Sequence, residues 1–136
     1  MRKKGFTLQR KWILIFCGVF LFIPAWAISA EPPIRFGFVV PLTGVFGKDG
    51  ALVRDAYLFW KETVNGKGGI EIQGKRYPVE LIFYDDKSDP PTSAKLTEKL
   101  ITEDKVDLLL GGFGSSQVIA ASAVSEKFKY PMTSGA

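Results

Sequence analysis

Three times along the chain, a short and almost unbroken apolar run is followed by a loop and then by apolar residues at helical spacing. The runs are Ile34–Val40 (I-R-F-G-F-V-V), residues 78–84 (P-V-E-L-I-F-Y) and residues 106–110 (V-D-L-L-L). Runs without polar alternation belong to strands covered on both faces. After the first, Leu52, Val53, Ala56, Tyr57, Trp60 and Val64 form one helical stripe, with Arg54, Asp55, Lys61 and Glu62 off it. Asn65-Gly66-Lys67-Gly68-Gly69 stops that helix in a manner suited to a left-handed C-cap. Residues 70–76 fit a short hairpin around Gln73-Gly74. Asp89-Pro90-Pro91-Thr92 opens a second helix, with Ala94, Thr97, Leu100 and Ile101 inward and its end near Asp104. Ser115 and Ser116 begin a third, with Ile119, Ala120, Ala123 and Val124 on one face, and residues 131–134 make a fourth short strand. Strand–helix alternation of this kind predicts an α/β fold, a doubly wound and mostly parallel sheet with helices on both faces. The last strand enters its loop as the sequence stops at Ala136, so the expectation is an N-terminal piece of a longer protein.

Residues 1–30 precede this pattern and have a different grammar. Basic residues come first, then an apolar run over residues 12–23, then Pro24 and the small residues Ala25, Ala27, Ser29 and Ala30. That order predicts a secretory signal peptide, cleaved after Ala27 or Ala30, and hence export to the periplasm or its equivalent. The run is too short to span a bilayer, which needs about 20 residues. Residues 31–136 are then the mature part, one truncated α/β lobe.

The charge balance follows the same division. The chain has 18 Lys+Arg against 14 Asp+Glu, but Arg2, Lys3, Lys4, Arg10 and Lys11 all fall in the leader, which holds no acid. The remaining 13 basic and 14 acidic residues leave no positive field for a polyanion, so no nucleic-acid partner is expected. The chain contains no His, which excludes a His-based triad or a His-liganded zinc within it. Cys17, the only cysteine, lies mid-run behind Phe16, so neither a disulfide nor a lipid anchor is expected.

In open α/β sheets, ligands bind beyond the carboxyl ends of the strands. Residues 41–50 there carry Gly44, Gly47 and Gly50, spaced G-x-x-G-x-x-G, whereas a dinucleotide fingerprint needs G-x-G-x-x-G. Phe46 stands where that fingerprint wants glycine, so the glycines are read as serving a tight loop. Asp85, Asp86 and Asp89 could offer oxygens to a hard cation, but a turn followed by a helix cap accounts for them. G-F-G-S-S-Q, with Ser115 and Ser116, has the strand-to-helix setting of a nucleophile elbow without its G-x-S-x-G sequence. One of the two serines is expected to be an N-cap. The helix start can also hold an anion, with a hydroxyl beside free N–H groups, and a carboxylate is a natural occupant.

Taken together, F-G-F-V-V followed by P-L-T-G, N-G-K-G-G-I, Y-D-D-K-S-D-P, E-D-K-V-D-L-L-L-G-G and the Gly-Ser-Ser turn resemble, in order and spacing, one family. It is the type I periplasmic binding proteins of the branched-chain amino acid and amide class, the solute receptors of ABC importers. The resemblance implies the first lobe of a two-lobed fold that closes on its ligand. It implies an amino acid, amide or related small carboxylate as ligand, an ABC permease as partner, a monomer and no cofactor. By position it implies that Ser115 meets the ligand carboxylate through its hydroxyl and amide, and that Ala136 presents its backbone. Ser116 and Gly135 are their neighbours, and Phe46 is the aromatic of the first loop. Two other functions remain open: an exported α/β hydrolase with Ser115 as nucleophile, and the ligand-sensing domain of a receptor.

Overall fold

Residues 31–134 are described by the computed structural model; the expected leader, Gly135 and Ala136 lie outside them. The elements run β1 (Ile34–Val40), α1 (Gly47–Gly66), β2 (Ile70–Ile72), β3 (Lys75–Tyr77), β4 (Val79–Asp85), α2 (Pro90–Thr102), β5 (Leu108–Leu110), α3 (Ser115–Lys127) and β6 (Met132–Thr133). Four strands form one sheet in the order β4-β1-β5-β6, with every pairing parallel. β1 is central, its Phe38 opposite Phe83 of β4 and Leu110 of β5. The hairpin β2–β3 stands apart as an antiparallel pair. Gln73 (φ 51°) and Gly74 (φ 79°) supply the two left-handed residues that a two-residue turn needs.

Alternation along β1 divides the interior into two layers. Phe36 and Phe38 point to α1, with Trp60 edge-on to Phe36 at 5.2 Å and Tyr57 edge-on to Phe38 at 4.9 Å. Val39 points the other way, into a cluster with Leu100, Val106 and Leu109 beneath α2. α2 and α3 pack together on that second face, so the sheet is doubly wound as expected.

Several local expectations are corrected. α1 begins at Gly47, inside the stretch read as loop. Gly47 and Gly50 are there because the first turn lies against the loop backbone: a Cβ on Gly50 would fall 1.7 Å from the Pro41 carbonyl oxygen. Of the expected stripe, Val53, Tyr57, Trp60 and Val64 face inward, while Ala56 is exposed and Leu52 is 69% exposed. At the other end of α1, Gly68 N–H bonds to Asn65 O and Gly69 N–H to Val64 O, a Schellman stop with both glycines left-handed. The Asn65 side chain also bridges to Val79, donating to its carbonyl (2.9 Å) and accepting from its N–H (2.8 Å). β5 is shorter than expected, because the Asp107 side chain accepts the Arg35 N–H (2.7 Å) where a ladder carbonyl would stand.

The largest correction concerns α3. Its buried residues are Gln117, Ala121 and Ser125, while Ala123 is exposed and Ile119 is 67% exposed. The facing residues of α2 are Ser93 and Thr97, so small side chains let the two helices approach closely. Their hydroxyls are satisfied by carbonyls, Thr97 on Ser93 (2.8 Å), Ser93 on Gln117 (3.4 Å) and Ser125 on Tyr130 (2.6 Å).

Candidate functional site

β1 lies between β4 and β5, so the loops after β1 and β5 diverge to opposite faces and leave a crevice at the carboxyl edge. At that edge lie residues 41–46 after β1, residues 85–89 after β4 and residues 111–114 after β5. Asp85 ties the first and second loops together. Its Oδ1 accepts from Leu42 N (2.8 Å), Thr43 N (3.2 Å) and Lys87 N (2.9 Å), and its Oδ2 from the Thr43 hydroxyl (2.8 Å). Partial burial opposes its ionisation, but these four donors outweigh it and hold the carboxyl below the usual carboxylate range. Asp89 caps α2, accepting from Thr92 N at 2.9 Å. The turn-and-cap reading therefore fits Asp85 and Asp89, whose oxygens are engaged by backbone N–H groups and threonine hydroxyls.

Asp86 differs. It is fully buried, its Oδ1 accepts from Ser88 N (2.9 Å), and its Oδ2 has no partner among the described residues. Burial pushes its pKa up; the Ser88 N–H and the nearby Ser93 hydroxyl pull against that, and the charges of Asp85 and Asp89 add to it. A carboxyl raised in the fold contributes stability that is fully present below the unfolded value and lost as pH rises through the folded one. Asp86→Asn keeps the acceptor for Ser88 and removes the buried charge. It should therefore stabilise the protein at neutral pH, by an amount on the order of 1 kcal/mol, with the difference closing in acid. Urea midpoints for both proteins between pH 4 and pH 8 check this, and an Asp86→Asn variant that is the weaker of the two at pH 7 would contradict it.

The expected site residues are partly brought together. Phe46 occupies the N-cap position of α1, and its ring meets that of Phe113 edge-on at 5.9 Å. Phe113, half-buried between Gly112 and Gly114, carries no motif or periodic signal in the sequence. Ser115 and Ser116 are the first two residues of α3, both exposed. Neither is the N-cap: Gly114 takes that position with φ 91°, and no side chain caps the helix. The N–H groups of Ser115, Ser116 and Gln117 therefore donate to no acceptor among the described residues. Ser116 Oγ donates to Gln117 Oε1 (3.0 Å), while the Ser115 hydroxyl is free among the described residues. Gly135 and Ala136 lie outside the described residues. Neither the small void beneath the α2–α3 pair nor the open groove beside β6 includes Ser115; the start of α3 stands on an open face.

The start of α3 and the Phe46–Phe113 pair thus stand at the carboxyl ends of β1 and β5, the switch point of the sheet. The chain belongs to the periplasmic binding protein family, whose model matches residues 33–136. It is similar in structure to the branched-chain amino acid transporter substrate binding protein LivJ of Streptococcus pneumoniae, solved with isoleucine. Identity there is 28%, covering 75% of this chain and 28% of that one, with a TM-score of 0.67. It is similar also to a solute binding protein of an ABC transporter from Rhodopseudomonas palustris, solved with 3,4-dihydroxy benzoic acid (26% identity, 75% of this chain, 26% of that one, TM-score 0.61). A second such protein from R. palustris, in complex with benzoate, matches at 26% identity over 75% of this chain and 27% of that one, with a TM-score of 0.58. The chain thus spans little more than a quarter of the length of these structures and shares the type I periplasmic binding protein fold over that part. The family and these neighbours are solute-binding proteins, so the hydrolase alternative falls away.

Proposed function

We propose that this chain contributes the carboxylate-binding half of an extracytoplasmic receptor that delivers a small solute to an ABC importer. The observation that carries the reading is the first turn of α3, where three N–H groups without acceptors among the described residues stand beside the Ser115 hydroxyl. The named ligands of the neighbours, isoleucine, 3,4-dihydroxybenzoate and benzoate, all carry a carboxylate. In this reading Ser115 receives the carboxylate, Phe46 borders the ligand, and Ser116, Gly135 and Ala136 flank it. A second lobe closes over the ligand by hinge motion. Residues 1–30 act as the export signal, residues 31–136 belong to the first lobe, and the mature receptor works as a periplasmic monomer that docks on an inner-membrane permease.

Ser115→Ala tests the reading. One charge-assisted hydrogen bond is worth about 1.5–3 kcal/mol, and ~1.4 kcal/mol is a factor of ten, so binding should weaken roughly tenfold to a hundredfold. Gly114 supplies the N-cap, so stability should stay within about 0.5 kcal/mol of wild type. Ser116→Ala should cost less affinity. Calorimetric titration of the full-length receptor with L-isoleucine and benzoate decides; unchanged affinity in Ser115→Ala would remove the carboxylate from this helix.

A further inference from the structure

Without a side-chain cap, something else must set where the first turn of α3 points. Gln117 is 2% exposed, and its side chain folds back over the N-cap glycine. A Cβ on Gly114 would fall 2.3 Å from Gln117 Oε1, so the glycine makes room for this amide. The amide leaves its own helix: Gln117 Nε2 donates to the Ser88 carbonyl (3.0 Å), while Oε1 accepts from the Ser116 hydroxyl (3.0 Å). Ser88 in turn holds the first loop, its hydroxyl donating to Thr43 O (2.9 Å) and accepting from Phe46 N (3.1 Å). One buried amide therefore joins the turn that carries Ser115 to the loop that carries Phe46.

We propose that Gln117 is a positioning residue of the binding half-site, fixing through Ser88 the placement of the α3 first turn relative to Phe46. This inference rests on the reading of that turn as the carboxylate half-site. Apolar side chains at this position would pack against Leu110, Val118 and Ala121 around the same void, so packing alone does not require an amide.

The test is a double-mutant cycle on the full-length receptor, titrated with benzoate and with L-isoleucine. Gln117→Met matches the side chain in length and removes both hydrogen bonds; it should weaken binding about tenfold while the thermal midpoint shifts little. Combined with Ser115→Ala, the loss should be clearly smaller than the product of the single losses, because both act through the same turn. Gln117→Glu, which keeps the acceptor for Ser116 but loses the donor to Ser88, guards against a packing defect particular to methionine and should also weaken binding. Wild-type affinity in both Gln117 variants, or fully multiplicative losses with Ser115→Ala, overturns the positioning role while leaving the half-site reading intact. Unchanged affinity in Ser115→Ala overturns the half-site reading and this inference with it.

Discussion

Truncating Phe38 to alanine should remove about 3–5 kcal/mol of stability, the usual cost of deleting a buried phenylalanine ring. Phe38 is completely buried at the middle of the central strand. Its ring stacks on Phe83 at 5.1 Å and 21°, and receives Tyr57 from α1 edge-on at 4.9 Å. Such aromatic pairs add roughly 0.5–1.5 kcal/mol beyond the area they bury. The cavity left by alanine would be bordered by two rings held by different elements, so it collapses poorly. Domains of this size have about 5–15 kcal/mol in all, so the loss is a large share of the total. Urea denaturation should show a lower midpoint with an unchanged slope for the transition that includes this sheet. A loss below about 1 kcal/mol would mean that α1 is not seated on the sheet through this ring.

The contrast between β1 and α3 shows why the fold was legible in the sequence and part of the site was not. Ile34–Val40 is covered on both faces, so its apolar run was unambiguous, and the hairpin turn and the helix stop announced themselves through glycine. α3 offered no such contrast. Its sequence S-S-Q-V-I-A-A-S-A-V-S-E-K holds small residues on every side, and hydrophobicity pointed to Ile119 where close helix contact chose Ala121 and Ser125. Size, rather than polarity, decided that face. The same blindness hid Gln117: a glutamine two residues beyond Ser115 has no periodic signature, and its role depends on Ser88, brought near by the crossover of α2. Ser115 itself was legible as the start of a helix from the strand–glycine–serine order. The expected serine cap was wrong because Gly114 could adopt the left-handed angle that the cap position uses here.

The placement of that turn depends on one further backbone contact, at Gly112. A Cβ there would lie 2.0 Å from the Val39 carbonyl oxygen and 3.1 Å from its carbon, well inside any tolerable contact with backbone. The obstacle is the central strand itself, so no side-chain rotation relieves it, and either β5 must shift away from β1 or the loop must re-route. Gly112→Ala should cost about 3 kcal/mol, the upper end of what overpacking usually costs. It should also displace Phe113 and Ser115, which follow it in the chain, so under the proposed function the affinity of the folded fraction for benzoate and L-isoleucine should fall as well. Gly66→Ala is the control: nothing lies within 4 Å of the added Cβ at the exposed end of α1. That substitution should be neutral or stabilising by about 0.5–1 kcal/mol, because alanine favours the helix over glycine. Denaturation midpoints and titrations of both variants separate the outcomes. If Gly112→Ala is as stable as Gly66→Ala and binds like wild type, the β1–β5 junction is more open than its backbone geometry requires, and the close strand approach cannot be what holds the α3 turn at the crevice.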